Sequence, residues 1–509
     1  MRGAFDVAIV GGGKAGSLLA RQLRRELPDA SVVVIEKARE RSYKVGESTV
    51  DVAGKYLTKR LGLSSYLYQH QLPKNGLRFF FDREDRSGSL EELSEIGSTR
   101  LIPFPSFQID RARFEQDLLQ MNAASGADVR IGVRVAGVRH EGGGHVLALE
   151  EDGAPSGELR ARWLIDASGR SSLLARQKKL RVPSTLENAA VWGRFRGVTD
   201  LDDYGGEAFR ARVSHTPRML STNHFCYPGY WIWLIPLGRG ITSVGVVMER
   251  ALFSDALRTE EGLLAFLRSH RCMQELLRDA ETIDVMSFEK LAYGTARFAD
   301  PRERWALVGE AAAFTDPLYS PGGDFIALEN DWVTDLVRRE LAGEAAPALD
   351  ARAALYDRAL AVRYASTLRL YEGLYGTLGS FELFASKWDL DQASYLSLWL
   401  EPYLLEREVA AQRTILGVLD TFKATFLAAQ SELRSRNRFF DKNLGHAVLD
   451  PAARWIGEGF GTAASQRRAI PRVRDTFQIV IDELQAKLGH RRSEAPIPFA
   501  RFASGRALL

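Results

Sequence analysis

The chain has 509 residues, 45% hydrophobic and 26% charged, with a net charge of +3. That is globular composition with room for two or three domains, and its near-balanced charge argues against nucleic acid as a partner. Two cysteines, Cys226 and Cys272, argue against a disulfide scaffold, and eight scattered histidines without HExxH or CxxC point to no metal site. No run approaches the ~20 apolar residues of a spanning helix, and the start lacks the three-part pattern of a secretion signal. A cytoplasmic, soluble protein without a membrane span is the expectation.

The first element, "DVAIVGGGKAGSLLARQLRREL", predicts a strand, a glycine turn and a helix. Gly11, Gly13 and Gly16 fit GxGxxG: a tight turn, a close backbone approach to a pyrophosphate, and close packing of helix on strand. The helix start offers free N–H groups and a positive dipole end to phosphates. Lys14 and Ala15 lie within this turn. "SVVVIEK" predicts the second strand, with Glu36 at its end, 20 residues past Gly16, placed to accept ribose hydroxyls, and Lys37 beside it. This stretch fits NAD and FAD equally.

Next come "KVGESTVDVAGKYLTKRLGL" (44–63) and "QLPKNGLRFFF" (71–81), then "PSFQIDRARFEQDLLQMNAASGADV" (105–129), a short strand and a helix capped near Asp110. "WLIDASGRSS" (163–172) predicts a buried strand ending at Asp166, followed by small residues and Gly169. Residues 187–283 read as strands and hairpins that roof a substrate pocket. Within them "PGYWIWLIPLGRG" (228–240) places Trp231, Trp233 and Ile235 on one face, with Pro236 expected to stop the strand. "RWALVGEAAAFTDPLYSPGGDFIALEND" (304–331) predicts a strand, a turn with Glu310, Asp316 and Pro317, and a helix opened by Gly322 and Gly323. From about 341 to 490 apolar residues recur at three and four, a helical pattern. The aromatic run 366–403 reads as core packing that could border an apolar pocket. The tail "RRSEAPIPFARFASGRALL" is basic and contains proline.

In order and spacing the glycine turn, the 163–172 segment and the 304–331 segment resemble the motifs of FAD-dependent oxidoreductases with the p-hydroxybenzoate hydroxylase type of fold. The complete WxWxIP of Trp231, Trp233, Ile235 and Pro236 resembles the signature of the flavin-dependent halogenases, the tryptophan-halogenase family. The Gly-Glu-Ser loop with Glu47, Ser48 and Thr49, and Lys74 ahead of Leu77-Arg78-Phe79, resemble that family as well. The implied fold is an α/β Rossmann-like FAD-binding domain with an antiparallel-sheet substrate domain and a helical C-terminal region. Expected boundaries are 1–186 and 284–340 for the FAD domain, with a substrate-side insertion at about 70–105, then 187–283 for the sheet and 341–509 for the helices.

The resemblance implies FAD, reduced as FADH2, with O2 and chloride or bromide. Gly11, Gly13, Lys14, Ala15, Gly16, Glu36, Lys37, Glu47, Ser48, Thr49, Arg111, Asp166, Gly169, Glu310, Pro317, Gly322 and Gly323 would be its cofactor neighbours, with Gln108 beside Arg111. Lys74 would meet hypohalous acid released at the flavin and present the halogen to the arene. Trp231 and Trp233 would keep the substrate from the flavin. A desolvated ammonium suits that task, because its pKa falls and it becomes nucleophile or acid.

Two departures bear on the substrate. Tyr319 stands where tryptophan halogenases carry a glutamate base, which disfavours free tryptophan and favours a phenol- or pyrrole-like substrate, free or carrier-bound. Pro321 removes one N–H from the halide loop, leaving Gly322 and Gly323 as halide donors, with Asp324 nearby to repel an anion if it faces them. Glu310 replaces the family's aspartate. No second nucleotide fold follows, so a separate flavin reductase is expected as partner, and a homodimer is compatible with the helical region. An FAD monooxygenase (hydroxylase or epoxidase) on the same fold is the main alternative, and a non-catalytic FAD-fold escort protein the second.

Overall fold

In the computed structural model the described residues are 4–489, apart from 41, 214, 407–413 and 451–459. The basic, proline-containing tail 491–509 lies outside the described residues.

The first sheet is built on Ala4–Val10. This strand runs parallel to Val32–Glu36 on one side and to Ala154–Asp166 on the other. Asp128–Ile131 and Trp305–Leu307 extend it outward, both in parallel. All five residues of Val32–Glu36 are buried, as expected of a parallel strand covered on both faces. The helix Lys14–Glu26 packs back on the sheet through Leu18, Leu19, Ala20 and Leu23. The helix Arg111–Ala124 begins at Asp110, whose carboxylate accepts from the Arg113 N–H at 3.3 Å. The carboxyl ends of the three central strands thus open on one edge, where ligands of such sheets bind.

The second sheet has eight strands in the order Glu281–Phe288, Asn188–Arg196, Ile241–Glu249, Tyr230–Gly238, Thr222–Tyr227, Leu77–Phe81, Ser94–Gly97 and Ala447–Leu449. It reaches beyond 187–283, and two of its joins are parallel. Pro236 does not stop its strand: the strand continues to Gly238 through an irregularity between Pro236 and Gly238, next to the hairpin turn. Proline is tolerated at such a bulge, where the ladder does not need its missing N–H. The turn itself holds Gly238, Arg239 and Gly240 at φ of 83°, 57° and 71°. Both faces of its central strands are buried, while the edge strand Glu281–Phe288 leaves Ile283, Met286 and Phe288 exposed. Trp231, Trp233 and Ile235 join one apolar cluster with Phe79 and Phe81, while Ile232 and Leu234 join another with Phe80 and Phe225.

The C-terminal region is helical as the periodicity predicts: Ala346–Arg369, Phe381–Tyr395, Thr414–Ser435 and Ala469–Lys487. The helix Phe381–Tyr395 is wedged between layers. Phe384 and Trp388 pack on Phe79 of the second sheet at ring distances of 4.7 and 4.9 Å. Leu383 and Leu390 turn to Val418, Phe422 and Phe477 of the outer helices. Among the described residues no helix is long and apolar enough to cross a membrane.

Candidate active site

A cleft of about 730 Å³ opens at the carboxyl edge of the first sheet. Gly11, Gly13, Lys14, Ala15, Glu36, Lys37, Glu47, Ser48, Arg111, Gly169, Glu310, Pro317, Gly322 and Gly323 line it, with Trp231 and Trp233. The three motif glycines divide their labour. A Cβ on Gly11 would meet the Ala167 carbonyl at 2.3 Å, and one on Gly16 the Gly11 carbonyl at 2.0 Å, so both are demanded by packing. A Cβ on Gly13 would find only the Glu115 carboxylate, at 3.9 Å, and would otherwise project into the cleft. That bare backbone at a helix start is a seat for a pyrophosphate, and the residues present fit FAD.

Several expected neighbours stand one layer back. Gly16, Thr49 and Asp166 do not line the cleft. Thr49 is bridged to the Phe107 backbone, and Asp166 accepts the N–H groups of Ser168 and Leu174 at 2.9 and 2.7 Å, shaping the loop that carries Gly169. Gln108 donates to the carbonyls of Met219 and Ser221 and likewise lies off the cleft. The carboxylate of Glu36 accepts the Gly12 N–H at 2.7 Å, tying the second strand to the glycine turn.

Charge in the cleft is organised by Glu115, a residue on no sequence motif. Its carboxylate takes the Lys14 N–H at 3.1 Å, the Lys44 ammonium at 2.9 Å and the Arg111 guanidinium. Against the cost of burial, Arg111 and Lys44 pull its pKa down to about 2. Burial, with Arg111 nearby, brings the Lys14 ammonium down to about 8. Glu47 pairs with fully buried Arg194 at 2.7 Å. It also accepts from Ser243 at 3.3 Å, which in turn accepts the Trp233 indole N–H at 3.1 Å.

The indoles of Trp231 and Trp233 lie 5.8 Å apart on the cleft wall. Trp231 donates to the Tyr375 hydroxyl at 3.0 Å, and Tyr375 donates to Asp316. Thr222 and His224 complete this wall. They share a face because Trp233 pairs with His224, and the alternation of "TNHFCY" was the available signal. Burial drives His224 down to about 3, so it is neutral.

Lys74 is not in this cleft. It lines a second cavity of about 390 Å³ with Asp51, Tyr319, Asp324, Tyr371, Trp388 and Asp391. Pro321 borders both cavities. The Lys74 ammonium donates to Ser48 Oγ at 2.9 Å and to the Thr49 carbonyl at 2.7 Å. Ser48, which lines the cofactor cleft, is also bonded to Thr222 at 2.8 Å and Ser320 at 2.9 Å. A hydroxyl cluster thus joins the two cavities. Burial pushes the Lys74 pKa down to about 7 and the Asp51 carboxyl up to about 6.

In the loop 319–323, Ser320 adopts φ of 56°, and the Asp324 and Phe325 N–H groups turn back to the Pro321 carbonyl. Gly322 and Gly323 open the helix Gly322–Leu341 and face the cofactor cleft. A Cβ on Gly323 would press on Ala53 at 2.8 Å and stand 3.9 Å from the Lys14 ammonium, so a cation lies close to this helix start. Asp324 is turned away. Its carboxylate accepts the Ala53 N–H at 2.8 Å and the Tyr395 hydroxyl at 3.0 Å, on the side of the second cavity.

Fold and cleft together fit an FAD-dependent oxidoreductase. Residues 4–217 match the family model described as an FAD binding domain. The flavin-dependent halogenase chlA of Dictyostelium discoideum is 29% identical over 434 residues, 79% of this chain and 71% of that protein. A 1H-pyrrole-2-carbonyl-[peptidyl-carrier protein] chlorinase of Pseudomonas fluorescens is 29% identical over 342 residues, 62% of this chain and 72% of its own. The crystal structure of halogenase PltM shares the fold with a TM-score of 0.70 at 18% identity, covering 98% of this chain and 99% of the other. In its sequence and its fold, the chain resembles the flavin-dependent halogenase family.

Proposed function

We propose that the protein is a flavin-dependent halogenase acting on an electron-rich aromatic substrate, phenol- or pyrrole-like, held in the cavity that contains Lys74. The observation that carries this reading is the division of the site. Trp231 and Trp233 stand in the cofactor cleft, whereas Lys74 stands in the other cavity, behind Ser48 and Pro321. A substrate beside Lys74 is screened from direct oxygen transfer, and an oxidant made at the flavin would have to travel past Ser48 and Pro321 to reach it.

Gly11, Gly13 and the start of the helix Lys14–Glu26 would hold the FAD pyrophosphate, with Arg111 and Lys14 as counter-charges and Glu36 on the ribose. Bound and reduced, the flavin supplies, with O2 and halide, a diffusible hypohalous acid. Gly322 and Gly323 would offer N–H groups to chloride or bromide, with the Lys14 ammonium nearby and Asp324 turned away. Lys74, with a pKa near 7, is part amine and part ammonium at neutral pH, so it can take the halogen or hydrogen-bond its carrier. Asp51, in the same cavity, is placed to accept the arene proton. A separate flavin reductase would supply the reduced cofactor, in the cytoplasm.

The test is a bromide soak of FAD-loaded crystals, read by anomalous scattering, beside a product assay for halogen incorporation. Bromide at the Gly322 and Gly323 N–H groups, with halogenated product, supports the reading. Oxygenated product without halogen, and no bromide at the loop, would overturn it in favour of a monooxygenase.

A further inference from the structure

Lys14 is the fourth residue of the glycine turn, at a position where GxGxxG asks for no particular side chain. The residue is only 6% exposed, yet its ammonium is poorly matched. It donates to the Gly46 carbonyl at 3.3 Å, and among the described residues no carboxylate stands within ion-pair reach of it. The neighbouring cations are matched, Arg111 by Glu115 and Arg194 by Glu47. An ammonium has three hydrogens to place, and burying it without partners is costly.

The ammonium lies against the start of the helix Gly322–Leu341. Its Nζ is 3.9 Å from where a Gly323 Cβ would stand, and Lys14, Gly322 and Gly323 line the same cleft. Among the described residues no acceptor meets the N–H of Gly322 or of Gly323. A Cβ on Gly322 would meet no atom within 4 Å. Two free N–H groups, the positive end of a 20-residue helix and an under-coordinated ammonium thus converge. The carboxylates that could compete are engaged elsewhere. Asp324 holds the Ala53 N–H and the Tyr395 hydroxyl, Glu115 holds Arg111 and Lys44, and Glu47 holds Arg194.

We propose that Lys14 is a halide-binding residue: its ammonium, with the Gly322 and Gly323 N–H groups, holds the anion and replaces the donor that Pro321 cannot supply. This rests on the reading of the loop 319–323 as the halide site. A monovalent halide cancels the charge of Lys14, so neither ion is buried alone. A hydrogen bond from a charged donor is about twice as strong as one from a neutral N–H, so one ammonium offsets the lost amide. Lys14 touches the halide, whereas Lys74, in the other cavity, meets the oxidised halogen.

The test uses the FAD-loaded protein with bromide alone as the probe. Parent crystals soaked in bromide should show anomalous scattering within hydrogen-bond reach of Lys14 Nζ and the two N–H groups. Titration followed by flavin absorbance should give Lys14→Met a bromide Kd at least ~10-fold higher than the parent, for the loss of a charged donor. Its FAD affinity should fall by less, because Arg111 stays as counter-charge to the pyrophosphate. A pH series separates a ligand from a structural role. The Lys14 ammonium gives up its proton at about pH 8, so bromide binding in the parent should weaken above that pH. Arg111, Glu115, Asp324, Glu47 and Lys74 bear on this ammonium. Of these, Asp324 and Lys74 titrate at about 7, and their effect should persist in Lys14→Met while the step above pH 8 disappears. Should Lys14→Met fail to fold, Lys14→Gln carries the same test. Equal bromide affinity in parent and variant, or no bromide beside Lys14 in the parent, overturns the proposal. So does a loss confined to FAD affinity, which would assign the ammonium to the pyrophosphate. Bromide bound through Lys14 with an oxygenated product sinks the halogenase reading instead and leaves this one standing. Halogenated product with bromide binding indifferent to Lys14 does the reverse.

Discussion

Replacing Lys74 by methionine tests whether this ammonium is held at a cost in stability. Its pKa lies at about 7 in the fold against an ordinary 10.5, with burial as the cause. At roughly 1.4 kcal/mol for each tenfold in proton affinity, keeping the charge at pH 7 costs on the order of 4 kcal/mol. The unfolded chain binds the proton more tightly, so this cost is full below pH 7 and fades as the pH climbs toward 10.5. By pH 10 it is under about 1 kcal/mol. Methionine removes the charge but leaves the Thr49 carbonyl without its donor, a loss of about 1–3 kcal/mol. Lys74→Met should therefore melt on the order of 2 °C higher than the parent at pH 7, and lower than the parent at pH 10. Differential scanning calorimetry across that range reads the crossover. FAD affinity should be unchanged, because Lys74 does not line the cofactor cleft, while halogenation is lost. A variant that melts below the parent by the same margin at both pH values would refute the reasoning.

Gly13→Ala should fold normally and bind FAD at least ~10-fold more weakly, whereas Gly16→Ala, pressed against the Gly11 carbonyl, should fail to fold; circular dichroism and FAD titration separate the two. Glu47→Gln should cost about 3 kcal/mol by leaving the buried charge of Arg194 with only its longer ion pair to Asp284 at 3.7 Å, and the double variant Glu47→Met, Arg194→Met should recover most of it in thermal melts. Glu115→Gln should weaken FAD binding by freeing Arg111 from its anchor. Because the Glu115 carboxyl is held at about 2, its contribution is present above pH 4.5 and is lost as the pH falls toward 2. The melting gap between parent and Glu115→Gln should close over that window. Asp51→Asn should slow halogenation in single turnover without changing FAD binding, if Asp51 takes the ring proton.

The parts of this protein that were legible in its residues are local in the chain. The strand, glycine turn and helix of the first 26 residues, the cap at Asp110 and the helical period after 341 each carry their own signal within a few turns of backbone. So does the alternation that sets Trp231 and Trp233 on one face, because side-chain direction in a strand follows from spacing alone. Pro236 was misleading for the same reason: local rules forbid it in a ladder, but the neighbouring bulge removes the need for its N–H. The joins between distant segments carry no such signal. Strand Ala447–Leu449 enters the second sheet as three unremarkable residues, and Glu115 becomes the hub of the cofactor cleft only when Lys14, Lys44 and Arg111 are brought around it. The division into two cavities, with Lys74 on the far side of Ser48 from Trp231, exists only after three separate stretches of chain are packed together. Among the described residues, Trp388, Asp391 and Ser394 on the helix Phe381–Tyr395 each keep a buried polar atom without a partner, and that is of the same kind. A polar atom is an orphan only once everything around it has been placed, and that is a property of packing rather than of spacing.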